Sequence, residues 1–208
     1  MLLRNTTHLS TARLEALILP FERLWRCGQL TILVRYSRGA DFSGSCLYAR
    51  RRLHVNIGRH ITFPYRLSTY LARARSNRRC WWKEEYTLEL ADACQLAYFV
   101  FLHELYHWLV KKAGRNTRQK ESMCDRFAAR ALVEEFGCPV RDSRGRPVPR
   151  ESWDFQDLDR FVAAARRKPR TRSVLPADSR AARQPLTPGG IRALPLSAAG
   201  QLLLFLES

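Results

Sequence analysis

Between residues 96 and 110 the chain reads LAYFVFLHELYHWLV, an apolar run without glycine, proline or lysine. Wound as a helix, this run is hydrophobic nearly all the way round, which places it in a core rather than on a surface. Asp92 followed by Gln95 forms a capping box, and Gly114 suits the far end, which frames a helix of about twenty residues. A second helix is predicted from Asn116 and Thr117 to Gly137. Upstream, residues 10–19 predict a first helix, capped by Ser10 or Thr11 and limited by Pro20. Residues 30–36 (LTILVRY) are apolar and β-branched and predict a buried strand. Residues 41–45 read as a turn cluster, and 46–57 as a strand or hairpin with Leu53, Val55 and Ile57 on one side. Strands followed by a helix pair predict an α+β domain over residues 1–138.

The pattern changes after Pro139. Residues 139–168 predict a linker and then an amphipathic helix over 152–167, with Phe155, Leu158, Phe161, Val162 and Ala165 at helical spacing. That helix either docks on the core or serves a partner. Residues 169–208 are rich in Pro, Arg, Ser and Ala and are expected to be disordered.

The apolar helix carries the chemistry. His103 and His107 are four apart and project from one helical face, so two imidazoles can meet one metal ion. Glu104 lies beside them, where a carboxylate can take a proton from water at the metal. Glu121 and Asp125 repeat the four-residue spacing on the second helix. Glu121 is 121 − 107 = 14 residues after His107, enough for a turn and an antiparallel return. Its carboxylate completes three protein ligands and leaves a fourth position open. Asp125 can accept the far N–H of a ligand histidine and fix its tautomer. The competing view is a core helix whose histidines bond to backbone or to each other. Five residues agreeing in type, spacing and face favour the metal. Tyr106 and Trp108, on other faces, are expected to pack, while His54 and His60 have no metal spacing to the motif.

HELYH followed by E-x-x-x-D resembles the gluzincin zinc metallopeptidases. The segment Glu121-Ser-Met-Cys-Asp125-Arg-Phe127-Ala128 is similar to the E-x-x-A-[ND]-x-F-A segment of the ImmA/IrrE-like peptidases. The resemblance implies a minimal zincin fold with a small sheet, and Zn2+ on His103, His107 and Glu121. It also implies Glu104 as general base and Asp125 in support. Cys124 stands where the pattern has alanine and reads as a small buried residue. The similarity covers residues 96–136 and says little about substrate. Gly44-Ser-Cys46-Leu-Tyr48 also resembles the SprT/Spartan-like proteases, which use histidine as third ligand where this chain offers Glu121.

Charge widens the picture. With 36 Lys+Arg against 19 Asp+Glu the net charge is +17, which attracts polyanions, nucleic acid foremost. Residues 50–83 hold ten Lys+Arg and no acid, with Phe63, Tyr65, Tyr70, Trp81 and Trp82 interleaved. Cations for phosphates and rings for bases suit a single-strand-binding surface. A basic surface with inward-pointing aromatics fits the same residues, and Trp81 and Trp82 also suit a cover over a substrate cleft. The six cysteines form no CxxC pair, which argues against a cysteine zinc ribbon, and no disulfide framework is expected. Arg4, His8, Arg13 and Glu15 interrupt the N-terminal apolar residues, making a poor secretory signal. No stretch reaches the roughly 20 apolar residues that span a bilayer, so no membrane association and a cytoplasmic location are expected.

Near the C-terminus Gln201, Leu202, Leu204 and Phe205 resemble the bacterial sliding-clamp-binding motif Q-L-x-L-F. The resemblance implies a docking peptide for the clamp; a C-terminal strand or turn packed on the core is the alternative. Together these features lead to a zinc metalloendopeptidase acting on DNA-associated proteins. A regulatory protease that cleaves a repressor, and a zinc-stabilised DNA-binding protein without turnover, are the rivals.

Overall fold

The computed structural model describes residues 1–163. In chain order its elements are β1 (Leu2–Asn5), α1 (Thr11–Ile18), α2 (Pro20–Trp25), β2 (Thr31–Tyr36), β3 (Phe42–Leu47), β4 (Arg52–Ile57), β5 (Tyr65–Thr69), β6 (Arg75–Ser76), β7 (Trp81–Trp82), β8 (Tyr86–Leu90), α3 (Ala93–Lys112), α4 (Glu121–Phe136), β9 (Val140–Asp142) and α5 (Leu158–Ala163). The α+β class expected from the pattern is borne out. Ser10 caps α1 by accepting the Arg13 N–H, and Pro20 opens α2 at a position where its missing N–H costs nothing.

Ile32 and Val34 of β2, and Leu53, Val55 and Ile57 of β4, are buried. Their strands pair in parallel at the centre of a sheet ordered β1-β2-β4-β3. β3 pairs antiparallel with β4 and forms the sheet's edge. α3 packs against β3 and β4 on one side and against α4 on another. Residues 94–102 are therefore all buried, as a helix apolar on every face requires. Asp92 caps it by accepting the N–H groups of Cys94 and Gln95. The Gln95 side chain reaches back to the N–H of Ala91, one residue beyond the cap. A smaller sheet, β5-β8-β9, and the hairpin β6-β7 complete the strands.

Four expectations are corrected. The turn cluster at 41–45 is mostly strand, because β3 holds Gly44 paired opposite Val55. The second helix starts at Glu121 rather than at Asn116. Asn116 uses its side chain to accept the Arg118 N–H, and Gln119 takes a left-handed φ of 55°, so the capping residue closes a turn instead. The span read as linker carries β9, which pairs with β8, and Trp153, Leu158 and Val162 are buried in the main core. Residues 1–163 thus belong to one compact unit, and the boundary at 138 does not hold.

Among the described residues, the amphipathic helix expected over 152–167 begins only at Leu158, the start of α5. Arg126, buried on α4, donates to Gln156 at 2.6 Å and stacks on the Phe155 ring at 4.3 Å. Those contacts hold residues 154–157 out of a helix. Asp157 then accepts the Arg160 N–H and caps the start of α5. Ala165, the expected disorder of 169–208, and the clamp-like residues Gln201, Leu202, Leu204 and Phe205 lie outside the described residues. Among the described residues no helix is long and apolar enough to cross a membrane.

Candidate metal centre

Helix α3 presents His103 and His107 on the face turned to α4, with ring centroids 5.0 Å apart. His107 meets the first residue of α4 and His103 also meets the fifth, so the helices run antiparallel, as the spacing required. His103 Nε2 lies 3.1 Å from one Glu121 carboxylate oxygen, and His107 Nε2 lies 3.3 Å from the other. His103 Nδ1 donates to Asp125 Oδ1 at 2.8 Å. Asp125 Oδ2 in turn accepts the Tyr70 N–H at 2.7 Å, which anchors the end of β5 to α4. The structure therefore brings together His103, His107, Glu121 and Asp125 as the sequence grouped them.

Electrostatics follow from this packing. Burial alone would lower the His103 pKa, but hydrogen bonds from Asp125 and Glu121 outweigh it and push the value up to about 10. His107 moves down, through burial and repulsion by His103. Its hydrogen bond to His103 holds the Glu121 carboxyl below its ordinary value. Glu104 is buried beside them. Burial, with Glu121 adding to it and His103 opposing, pushes its pKa up to about 7.

The donor set fits a tetrahedral dication. Ligands at 2.0–2.1 Å from such an ion are separated by about 3.3 Å along the tetrahedral edge. His103 Nε2 and His107 Nε2 lie at a comparable spacing, 3.1 and 3.3 Å, each from a different oxygen of the Glu121 carboxylate. An ion held by His103 Nε2 and Glu121 would take the place of the proton they share, and Asp125 would keep the Nδ1–H. His103, His107 and Cys124 also form a cluster that can hold a metal ion, their donor atoms all within 4.8 Å of one another. Two residues thus compete for the third position. Glu121 is the better placed, because its oxygens contact both ring nitrogens. Burial holds the Cys124 thiol above its ordinary range, so the ion-free chain keeps its S–H.

Three contributors escaped the sequence reading. Gly44 is one: a Cβ built there would lie 2.3 Å from Glu104 Oε1, so only glycine lets β3 approach the carboxylate. A glycine inside an otherwise pairing segment marks such an approach, which was the available signal. Cys124, read as filler, and the Tyr70 backbone N–H are the others; the latter has no sequence signature. A cavity of about 180 Å3 opens at this point, lined by Phe42, Gly44, Tyr70, Phe99, His103 and Glu104.

The basic segment divides. Phe63 and Tyr65 pack against the core, whereas Tyr70, Trp81 and Trp82 are exposed at 61%, 72% and 42%. Arg78 and Arg79, in the turn between β6 and β7, are exposed with them. Tyr106 and Trp108 pack as expected, Tyr106 fully buried and donating to the Leu158 carbonyl. His54 sits on β4 and its pKa is lowered by burial and by Arg35. In comparison with known proteins, no family model matches the chain, and neither a curated protein nor a solved structure matches it, so the reading of this centre rests on its own geometry.

Proposed function

We propose that this protein is a zinc-dependent endopeptidase acting on proteins associated with nucleic acid. The observation that carries the reading is the convergence of His103 Nε2 and His107 Nε2 on the Glu121 carboxylate at 3.1 and 3.3 Å, with buried Glu104 alongside. A zinc ion bound by these three residues supplies a Lewis acid that polarises a peptide carbonyl and lowers the pKa of water.

The chain's own residues do the rest. Glu104, with a pKa near neutrality, takes a proton from the attacking water and hands it to the departing amine. Asp125 holds the His103 ring so that Nε2 faces the ion. β3 is an edge strand beside Glu104, so an extended peptide can pair with its free side and bring a scissile bond to the base. The 180 Å3 cavity beneath takes a side chain of that peptide. The exposed rings and arginines of the β6-β7 arm supply stacking faces and phosphate contacts for a single strand.

The test is metal analysis of the purified chain together with proteolysis of DNA-binding proteins, with and without single-stranded DNA. Wild type is expected to hold one zinc and to cleave faster with DNA. Glu104→Gln keeps the zinc and loses cleavage. A chain without metal, or a Glu104→Gln variant as active as wild type, removes the assignment. A second reading, a zinc-stabilised DNA-binding protein without turnover, draws on Cys124, since a sulfur donor beside the three others suits a closed structural site.

A further inference from the structure

Cys124 lies three residues after Glu121 on α4 and so shares the face turned to α3. It is fully buried, and its sulfur lies within 4.8 Å of a ring nitrogen of both His103 and His107. A packing role asks only for a small apolar group at this point. A sulfur beside two imidazoles from the neighbouring helix adds the softest donor available to an ion such as zinc, which forms stable four-coordinate sets with mixed nitrogen and sulfur ligands.

Resting on the metal reading above, we propose that Cys124 is a sulfur ligand of the same ion, which with His103, His107 and Glu121 closes the centre to water in the resting chain. As the sulfur–metal bond forms, the thiol proton leaves to solvent. When the sulfur withdraws it takes a proton back, and no electrons are exchanged. The open set of two imidazoles and one carboxylate is then the active form, and the four-donor set is the latent one. The two rival functional readings become two states of one centre, separated by the position of a single side chain.

The experiment loads the full chain with cobalt(II) and records its metal content and near-ultraviolet spectrum. The inference expects one cobalt per chain and a thiolate-to-cobalt charge-transfer band. That band should be lost in Cys124→Ala and Cys124→Ser but kept in Cys46→Ala, which controls for the thiol near Glu104. X-ray absorption of the zinc-loaded wild type, which needs no variant to fold, should show a sulfur neighbour at about 2.3 Å. Bound cobalt without the band, a band surviving in both Cys124 variants, or a zinc shell without sulfur overturns the inference and leaves the metal reading standing. A wild-type chain that retains neither ion overturns both.

Discussion

Gly44 and Glu104 are in contact across the gap between sheet and helix, and a single methyl group at residue 44 would lie 2.3 Å from the carboxylate oxygen. An added methyl group would push the Glu104 side chain toward the cavity it lines. Glu104 is rooted in a helix buried between sheet and helix, and Gly44 is locked in register opposite Val55. The Glu104 carboxylate therefore approaches the sheet where the opposing strand carries no side chain.

Gly44→Ala should consequently displace the base. Overpacking of this kind costs about 1–3 kcal/mol. We expect a lower melting temperature and a large loss of kcat, with zinc content unchanged because the proposed ligands lie on α3 and α4. Unaltered kcat in a folded Gly44→Ala chain would show that Glu104 is not held by this contact.

Asp125→Asn removes the charge that orients His103 while keeping the shape. Loss of such a supporting carboxylate lowers metal affinity by about 10–100-fold. Competition with a chromophoric chelator measures the change. An affinity equal to wild type would mean that His103 keeps its ring orientation without help.

In the chelator-stripped protein the same carboxylate sets a pH dependence. The His103 pKa is raised from 6.5 to about 10, so its contribution to stability is fully present below 6.5 and is lost as pH rises through about 10. His107, whose pKa is lowered, gives the opposite limb, losing stability as pH falls below 6.5. Thermal melts across this range should show both limbs, and Asp125→Asn should flatten the alkaline one. If the metal reading holds, the activity of the zinc-loaded chain should fall on the acid side as Glu104 becomes protonated, and a profile flat on that side would remove Glu104 as the base.

The exposed tryptophans make a separate prediction. Trp81→Ala and Trp82→Ala should each weaken single-stranded DNA binding by about 1–3 kcal/mol, the value of one stacked base. Zinc content and melting temperature should not change, since both rings face solvent. Fluorescence anisotropy of a labelled oligonucleotide reads the effect, and unchanged affinity in the double variant would remove the arm as a nucleic-acid surface.

Trp153→Ala tests the extent of the folded unit. Trp153 is 1% exposed, and emptying such a site costs about 3–5 kcal/mol. A chain truncated after residue 138 should fail to fold for the same reason, since β9 and Trp153 would be missing. A stable, monomeric 1–138 fragment would contradict this.

The centre was legible because its parts are local. His103, His107, Glu121 and Asp125 announce themselves by four-residue spacing on two helices, the first of them apolar on nearly every face, and the hydrogen bonds joining them follow from that register. What the sequence hid was decided by contacts between distant segments. Gly44 reads as a turn former until Glu104 is seen against it, and Asn116 reads as a helix cap until its side chain is seen closing a turn. Residues 154–157 have helical spacing, yet Arg126, about thirty positions earlier, holds Phe155 and Gln156 by stacking and hydrogen bonding. β1, only four residues long, gave no periodic signal and is fixed by its parallel neighbour β2.

The carboxylate of Asp125 is shared between a ring of the metal helix and the backbone of Tyr70, from which the tryptophan-bearing arm departs. If the proposed ion fills the centre and the arm takes a nucleic acid strand, any coupling carried by that shared carboxylate acts equally in both directions. The root of the arm and the orientation of the His103 ring thus depend on one acidic side chain.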